Sequence, residues 1–313
     1  MASVAPEGGG SLSVADLQGS AKRRVKEGLI RRAFFGAAAM SVVINLLIVV
    51  SLFDGTVDFL SSVDISALWA DGWFPRRGLF DVKTIVAGTL LVSVVAMLVA
   101  APLGLGAAIY LSEYASRRAR RRLKPILEIL AGIPSVVMGY FALTWISPTI
   151  MQSLFGATTF NMGAAGIGVG ILITPLVASV AEDAMFAVPS SLREASYGLG
   201  AKKRNTTLKV VFPAAVSGLV AALILGLSRA IGETLVVAIA AGATGGSLFS
   251  LDVTGPGQTM TAAMTALATG SDQVKGASEA FPSLFFVGSL LFFMTLSLNI
   301  VSERFVRRVR RKY

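Results

Sequence analysis

Runs of about twenty or more apolar residues recur along this 313-residue chain and constrain its fold more than any motif does. Backbone polar groups inside a bilayer must be satisfied within the segment, so such runs cross as helices or not at all. Six spans are read, at about 34–53, 84–111, 126–150, 162–188, 213–242 and 281–301. The expected class is an all-α integral membrane protein with six transmembrane helices. With 54% hydrophobic and only 15% charged residues, the composition lies outside the soluble range.

The net charge of +10 would suit nucleic acid if the basic residues formed one face. Instead they cluster beside the spans, which is the orientation rule of membrane proteins. Of the 28 Lys and Arg residues, 23 fall in four segments: Lys22–Arg32, Arg117–Lys124, Arg193–Lys209 and Arg304–Lys312. The outer segments hold four, and Arg229 lies within a span. Both termini are therefore expected on the cytoplasmic side of the membrane, with no nucleic-acid partner. Residues 1–33 read as a partly disordered basic segment, 34–303 as the membrane domain with a cytoplasmic loop at 189–212, and 304–313 as a basic tail. The first span is long and lacks a small-residue cleavage site, so it reads as a retained helix rather than a signal peptide.

Residues 54–83 hold five aspartates against three basic residues and read as an outer loop, with Trp69 and Trp73 suited to the headgroup level. Gly104 and Gly106 in the second span read as packing or bending positions, and Pro134 as a kink in the third. The chain has no Cys and no His, so thiol chemistry, imidazole catalysis and the commonest metal ligand are absent. No catalytic group and no metal site are expected.

The polar loop 189–212 carries the most distinctive pattern. Ser191 to Glu194 spell a capping box, which would start a short helix, and Gly198 and Gly200 would end it. Glu194, Ala195 and Ser196, then Gly200, then Val210–Pro213 after nine residues, resemble the EAA loop of ABC importer permeases. The resemblance implies a coupling helix that docks on a separate ATPase subunit, with Arg193, Glu194, Ala195, Ser196, Gly198 and Gly200 as its coupling residues. It also implies a bacterial plasma membrane as the place of the chain.

Arg229 and Glu233 stand four apart in the fifth span, on one face of a continuous helix. A charge at that depth costs ~2.5 to 3.5 kcal/mol on insertion scales and generally faces protein or water. One reading is a self-neutralising structural pair. The other is an oxyanion site, in which the planar guanidinium meets phosphate oxygens and Glu233 orients it or accepts a proton.

Leu111–Ala115, the run LEILAGIPSVVMG from Leu127 and the run LSRAIGET from Leu227 are similar to the permeases of phosphate-specific ABC importers, closer to the PstC than to the PstA type. This resemblance implies a type I importer permease of MetI-like architecture, a sister permease of PstA type, two ATPase subunits and an external phosphate-binding protein, with Arg229 and Glu233 on the substrate pathway. No G-x-x-x-x-G-K-[ST] loop occurs, so ATP and magnesium are expected on the partner and no cofactor on this chain. Three alternatives stay open: a permease for sulfate or molybdate, a channel or signalling subunit that does not pump, and an intramembrane enzyme using Glu233 or Asp183.

Overall fold

A computed structural model describes residues 21–69, 71–242, 245–269 and 279–310, the side chains of 21–24, 305 and 307–310 excepted. The first 20 residues, and Asp272 and Lys275 of the last loop expected outside, lie outside the described residues. Two units divide the chain, the first ending at Ser51 and the second starting at Leu52. Helix α1, Ala21–Ser62, begins in the first. Its apolar side chains there, Phe34 and Leu46 among them, are exposed, which is the surface a lipid-facing helix presents.

In the second unit four further helices are long and apolar enough to cross a membrane. They are α2, Val82–Tyr114; α5, Met162–Phe186; α7, Lys203–Ile231; and α10, Ser283–Arg310, apolar as far as Arg304. A sixth crossing falls within a bent pair, in which α3, Arg117–Ala131, meets α4, Ser135–Phe155, at 87°. Helix α4 carries no charged residue and, at roughly 20 residues, is the member long enough to cross. The expected span at 126–150 is thereby corrected. Pro134 has no N–H to give, so α3 closes in tight turns from Gly132 N–H to Ile129 C=O and from Ile133 N–H to Leu130 C=O. The Pro134 carbonyl then accepts from Val137 and starts α4. What reads as a kink is a complete break, and α3 belongs to no straight span.

The core forms where α2 packs along α5. Lipid supplies no hydrophobic drive between such helices, so close backbone approach has to do so. A Cβ at Gly170 would stand 2.7 Å from the Ala96 carbonyl oxygen, and one at Gly104 would stand 2.8 Å from Val177. Gly104 is thus a packing position, whereas Gly106 meets nothing. Gly170→Val should cost about 1 to 3 kcal/mol by overpacking. A lowered melting temperature in detergent would register it, and an unchanged one would show that the two helices do not need this contact.

Prolines sit within several helices, and π-helical stretches accommodate two of them. Pro148 lies inside the stretch Ala142–Gln152, and Pro213 follows the stretch Thr207–Val211. The fifth crossing therefore starts ten residues earlier than Pro213, at Lys203. It also ends earlier than expected, at Ile231, and a separate helix α8, Leu235–Ala240, follows.

The loop expected outside departs from its reading as well. Trp73–Phe74 (β1) and Leu79–Phe80 (β2) form a short antiparallel hairpin. Trp73 is buried with Phe59, Phe80 and Met260 rather than lying at the headgroup level. Trp69 is exposed, with Lys83 Nζ 5.9 Å from its ring centre.

Candidate functional site

The polar loop folds as helix α6, Ser190–Gly198, but not through the expected capping box. Its N-cap is Pro189, held extended at φ −56° and ψ 137°, and no side chain caps the helix. Helix formation thus begins right after the proline, before Ser191 can serve as the cap. At the other end Gly200 adopts φ +77°, with its N–H on the Tyr197 carbonyl, and open space lies where a Cβ would stand. Only backbone strain opposes a side chain there, so Gly200→Val should cost ~1 kcal/mol or more. If the loop couples to an ATPase, that variant should insert normally yet lose ATPase association in co-purification. Full association would remove Gly200 from the coupling element.

The residues expected in coupling separate into two groups. Glu194, Ala195, Gly198 and Gly200 are exposed. Arg193 instead turns back into the chain. Its Nη2 stands 2.7 Å from Glu113 Oε1 and 2.9 Å from the Met185 carbonyl, while Nη1 meets the Val188 carbonyl at 2.7 Å. Nε adds a second bond to Glu113 Oε1 at 3.2 Å. The guanidinium therefore ties α6 to a carbonyl in the last turn of α5, to the Val188 carbonyl just beyond it, and to the π turn that ends α2. Ser196 bonds the buried Thr206 hydroxyl at 2.9 Å and so fixes α6 to the start of α7.

Sequence reasoning passed over the apolar side chains on this loop. Leu192 and Tyr197 are exposed and Leu199 is 91% exposed, in a segment with no lipid-facing period. Three apolar residues inside a polar island were the available sign of a docking surface.

A charge network that the sequence does not reveal lies just above the loop. Glu182 is fully buried, with Arg120 Nη2 2.5 Å from one oxygen and Lys124 Nζ 3.1 Å from the other. Lys124 also bonds Asp183 at 3.0 Å. The Asp183 hydrogen bond raises the lysine above its ordinary 10.5 against the opposing effect of burial, and Glu182 adds to the rise. What this pairing contributes is present at neutral pH and is lost only as pH climbs past that range.

Arg229 and Glu233 do meet, but not along a continuous helix. Arg229 occupies the last turn of α7, and Glu233 sits in the break at 232–234 before α8. Arg229 Nη2 lies 3.6 Å from Glu233 Oε2, a charge contact longer than a hydrogen bond. The Arg229 side chain is 55% exposed and that of Glu233 3%. Ala222, Gly226 and Ala240 are buried, and Gly226 lies against Val177 of α5, so these small residues serve packing rather than access.

The break is held from the side by the start of helix α9, Met260–Ala268. Thr261 Oγ1 donates to the Glu233 carbonyl at 2.9 Å, and its hydroxyl lies 3.1 Å from that of Thr259. The Met260 N–H reaches Thr89 Oγ1 on α2 at 3.0 Å. Gln258 beside them is buried with its Oε1 unpartnered. This threonine and glutamine layer was not legible, because the same residue types fill ordinary outer loops.

Residues 100–312 match the family of binding-protein-dependent transport system inner membrane components. The Phosphate transport system permease protein PstC of Pasteurella multocida is 30% identical over 85% of this chain and 87% of its own length. PstC 1 of Mycobacterium tuberculosis is 31% identical over 76% of this chain and 75% of its own. The Probable ABC transporter permease protein YqgH of Bacillus subtilis reaches 38%, over 60% of this chain and 59% of that protein. Among solved structures, a bacterial ABC transporter involved in import of the acidic polysaccharide alginate matches with a TM-score of 0.62 at 14% identity, covering 91% of this chain and 99% of that one. A methionine ABC transporter, MetNI, matches at 0.52 and 22%, covering 72% and 93%. The chain therefore belongs to the inner-membrane permeases of binding-protein-dependent ABC transporters, on their PstC branch. It is a multi-pass membrane protein with the MetI-like permease fold.

Proposed function

We propose that this chain is the membrane-spanning permease subunit of an ATP-driven importer that moves inorganic phosphate delivered by an external binding protein. One observation carries the reading: a half-exposed arginine stands at the broken end of a spanning helix beside a buried glutamate, in a chain whose relatives over most of its length are phosphate permeases. An arginine on such a helix is too costly to leave in lipid, so its open side faces protein or a wet path. There its donors suit the oxygens of a tetrahedral anion, and Glu233 orients the fork and favours a protonated oxyanion over a fully ionised one.

In this reading α6 docks on an ATPase subunit through Leu192, Tyr197, Leu199 and Glu194, and Arg193 and Ser196 hold it rigid. The partners are a sister permease of PstA type, two ATPase subunits that use ATP and magnesium, and the phosphate-binding protein. This chain itself binds no cofactor. Both termini and α6 face the cytoplasm. A reporter inserted near Gly200 or fused after Tyr313 should therefore be active only in its cytoplasmic form, and external activity at either site would invert the layout.

The functional test is uptake of radiolabelled phosphate by vesicles carrying the chain with its partners. Phosphate should enter only with ATP and binding protein present, and excess sulfate should not compete. Uptake blocked equally by sulfate or molybdate would make this a general oxyanion permease.

A further inference from the structure

Helix α3 is accounted for neither by the crossings nor by the pathway. It meets the spanning helix α4 at 87°. A helix at right angles to a membrane crossing, joined to its end by three residues, runs along the membrane surface.

Its residues are sorted both around the helix and along it. Arg120, Leu123, Lys124 and Leu127 are half-buried. Arg120 and Lys124 are neutralised by Glu182 and Asp183 of α5. Arg117, Arg118, Arg121 and Arg122 are exposed and make no ion pair among the described residues. An open cavity of about 470 Å³ lies over Arg117, Arg121 and Glu128, and Glu128 is the sole acid that lines it. Farther along, Ile126, Leu130 and above all Ile129, at 72%, are exposed.

We propose that α3 is a binding site for anionic phospholipid. The four free arginines hold headgroup phosphates, and Ile126 and Ile129 enter the boundary with the acyl chains. This arrangement of guanidinium groups and aliphatic side chains, on a helix lying in the plane, is that of an interfacial helix. Each such cation near an anionic surface is favourable. Free inorganic phosphate would satisfy the arginines but would leave the exposed isoleucines without a role. An acidic protein surface would leave unexplained why the helix lies along the membrane plane.

The test uses the full chain with its partners in nanodiscs of phosphatidylcholine and phosphatidylglycerol. Native mass spectrometry counts the lipids that stay bound. Phosphatidylglycerol should be retained preferentially, and changing Arg117, Arg118, Arg121 and Arg122 to Gln should reduce that preference ~10-fold or more, whereas changing the same four to Lys should keep most of it. Size-exclusion elution of the complex establishes that each variant is folded and assembled. Millimolar inorganic phosphate should leave the lipid in place. Independently, an Ile129→Trp variant should gain fluorescence that brominated phosphatidylglycerol quenches. Equal retention by the Gln variant overturns the proposal. So does displacement of lipid by inorganic phosphate, which would make the patch a free-anion site, and so does Ile129→Trp fluorescence that only ATPase binding, and not brominated lipid, alters.

Discussion

Arg193→Ala should nearly abolish phosphate uptake while leaving Arg229, Glu233 and the membrane core untouched. The substitution strands the buried Glu113 carboxylate and takes the guanidinium away from the Met185 and Val188 carbonyls, which breaks the ties it makes from α6 to α2 and to the end of α5. Removing one partner of a buried ion pair costs on the order of 3 to 5 kcal/mol, and the half-buried position of Arg193 places this case at the lower end. Arg193→Lys keeps a charge for Glu113 but cannot reach three acceptors from a planar fork, so intermediate uptake is expected. The informative variant pairs Arg193→Gln with Glu113→Gln. It leaves no stranded charge, so the chain should insert with near-normal stability. If α6 transmits ATPase motion through this tie, ATP hydrolysis in the complex should continue in that double variant while uptake falls. Uptake restored in proportion to stability would reduce Arg193 to a structural clamp.

What the sequence discloses about this fold is whatever depends on local chemistry. The apolar spans are visible because each must satisfy its own backbone, whatever it packs against. Pro134 marks a discontinuity but not its 87° angle, nor that α3 rests against α5 through Glu182, a contact about sixty residues distant in the chain. Ser191 and Glu194 match a capping box in spacing, yet Pro189 had already fixed the helix start. The EAA pattern locates α6 without revealing that its arginine faces inward, because Glu113 lies 80 residues away. Trp73 has the composition of an interfacial residue, and pairing with Phe80 in a hairpin buries it instead. At the candidate pathway, the i, i+4 spacing correctly brings Arg229 near Glu233, although the helix that would justify the spacing ends between them.

That break sharpens the test of the pathway. Because Glu233 is buried and Arg229 is its one ion-pair partner among the described residues, Arg229→Gln alone leaves an uncompensated carboxylate at depth. Loss of uptake by that variant is therefore ambiguous between misfolding and a lost anion contact. Glu233→Gln combined with Arg229→Gln removes both charges and keeps both shapes, and the Thr261 bond survives because it goes to the Glu233 backbone carbonyl rather than to its carboxylate. The double variant should thus insert, melt near the parent and associate with its ATPase. If the arginine contacts phosphate in transit, uptake should nevertheless fall at least ~10-fold, since one charge-assisted contact is worth about 1.5 to 3 kcal/mol. Arg229→Lys supplies the complementary arm: its charge still neutralises Glu233, but a point charge replaces the fork, so stability should be kept while uptake drops. Near-normal uptake by the double variant would show that the pair neutralises itself and that phosphate passes elsewhere.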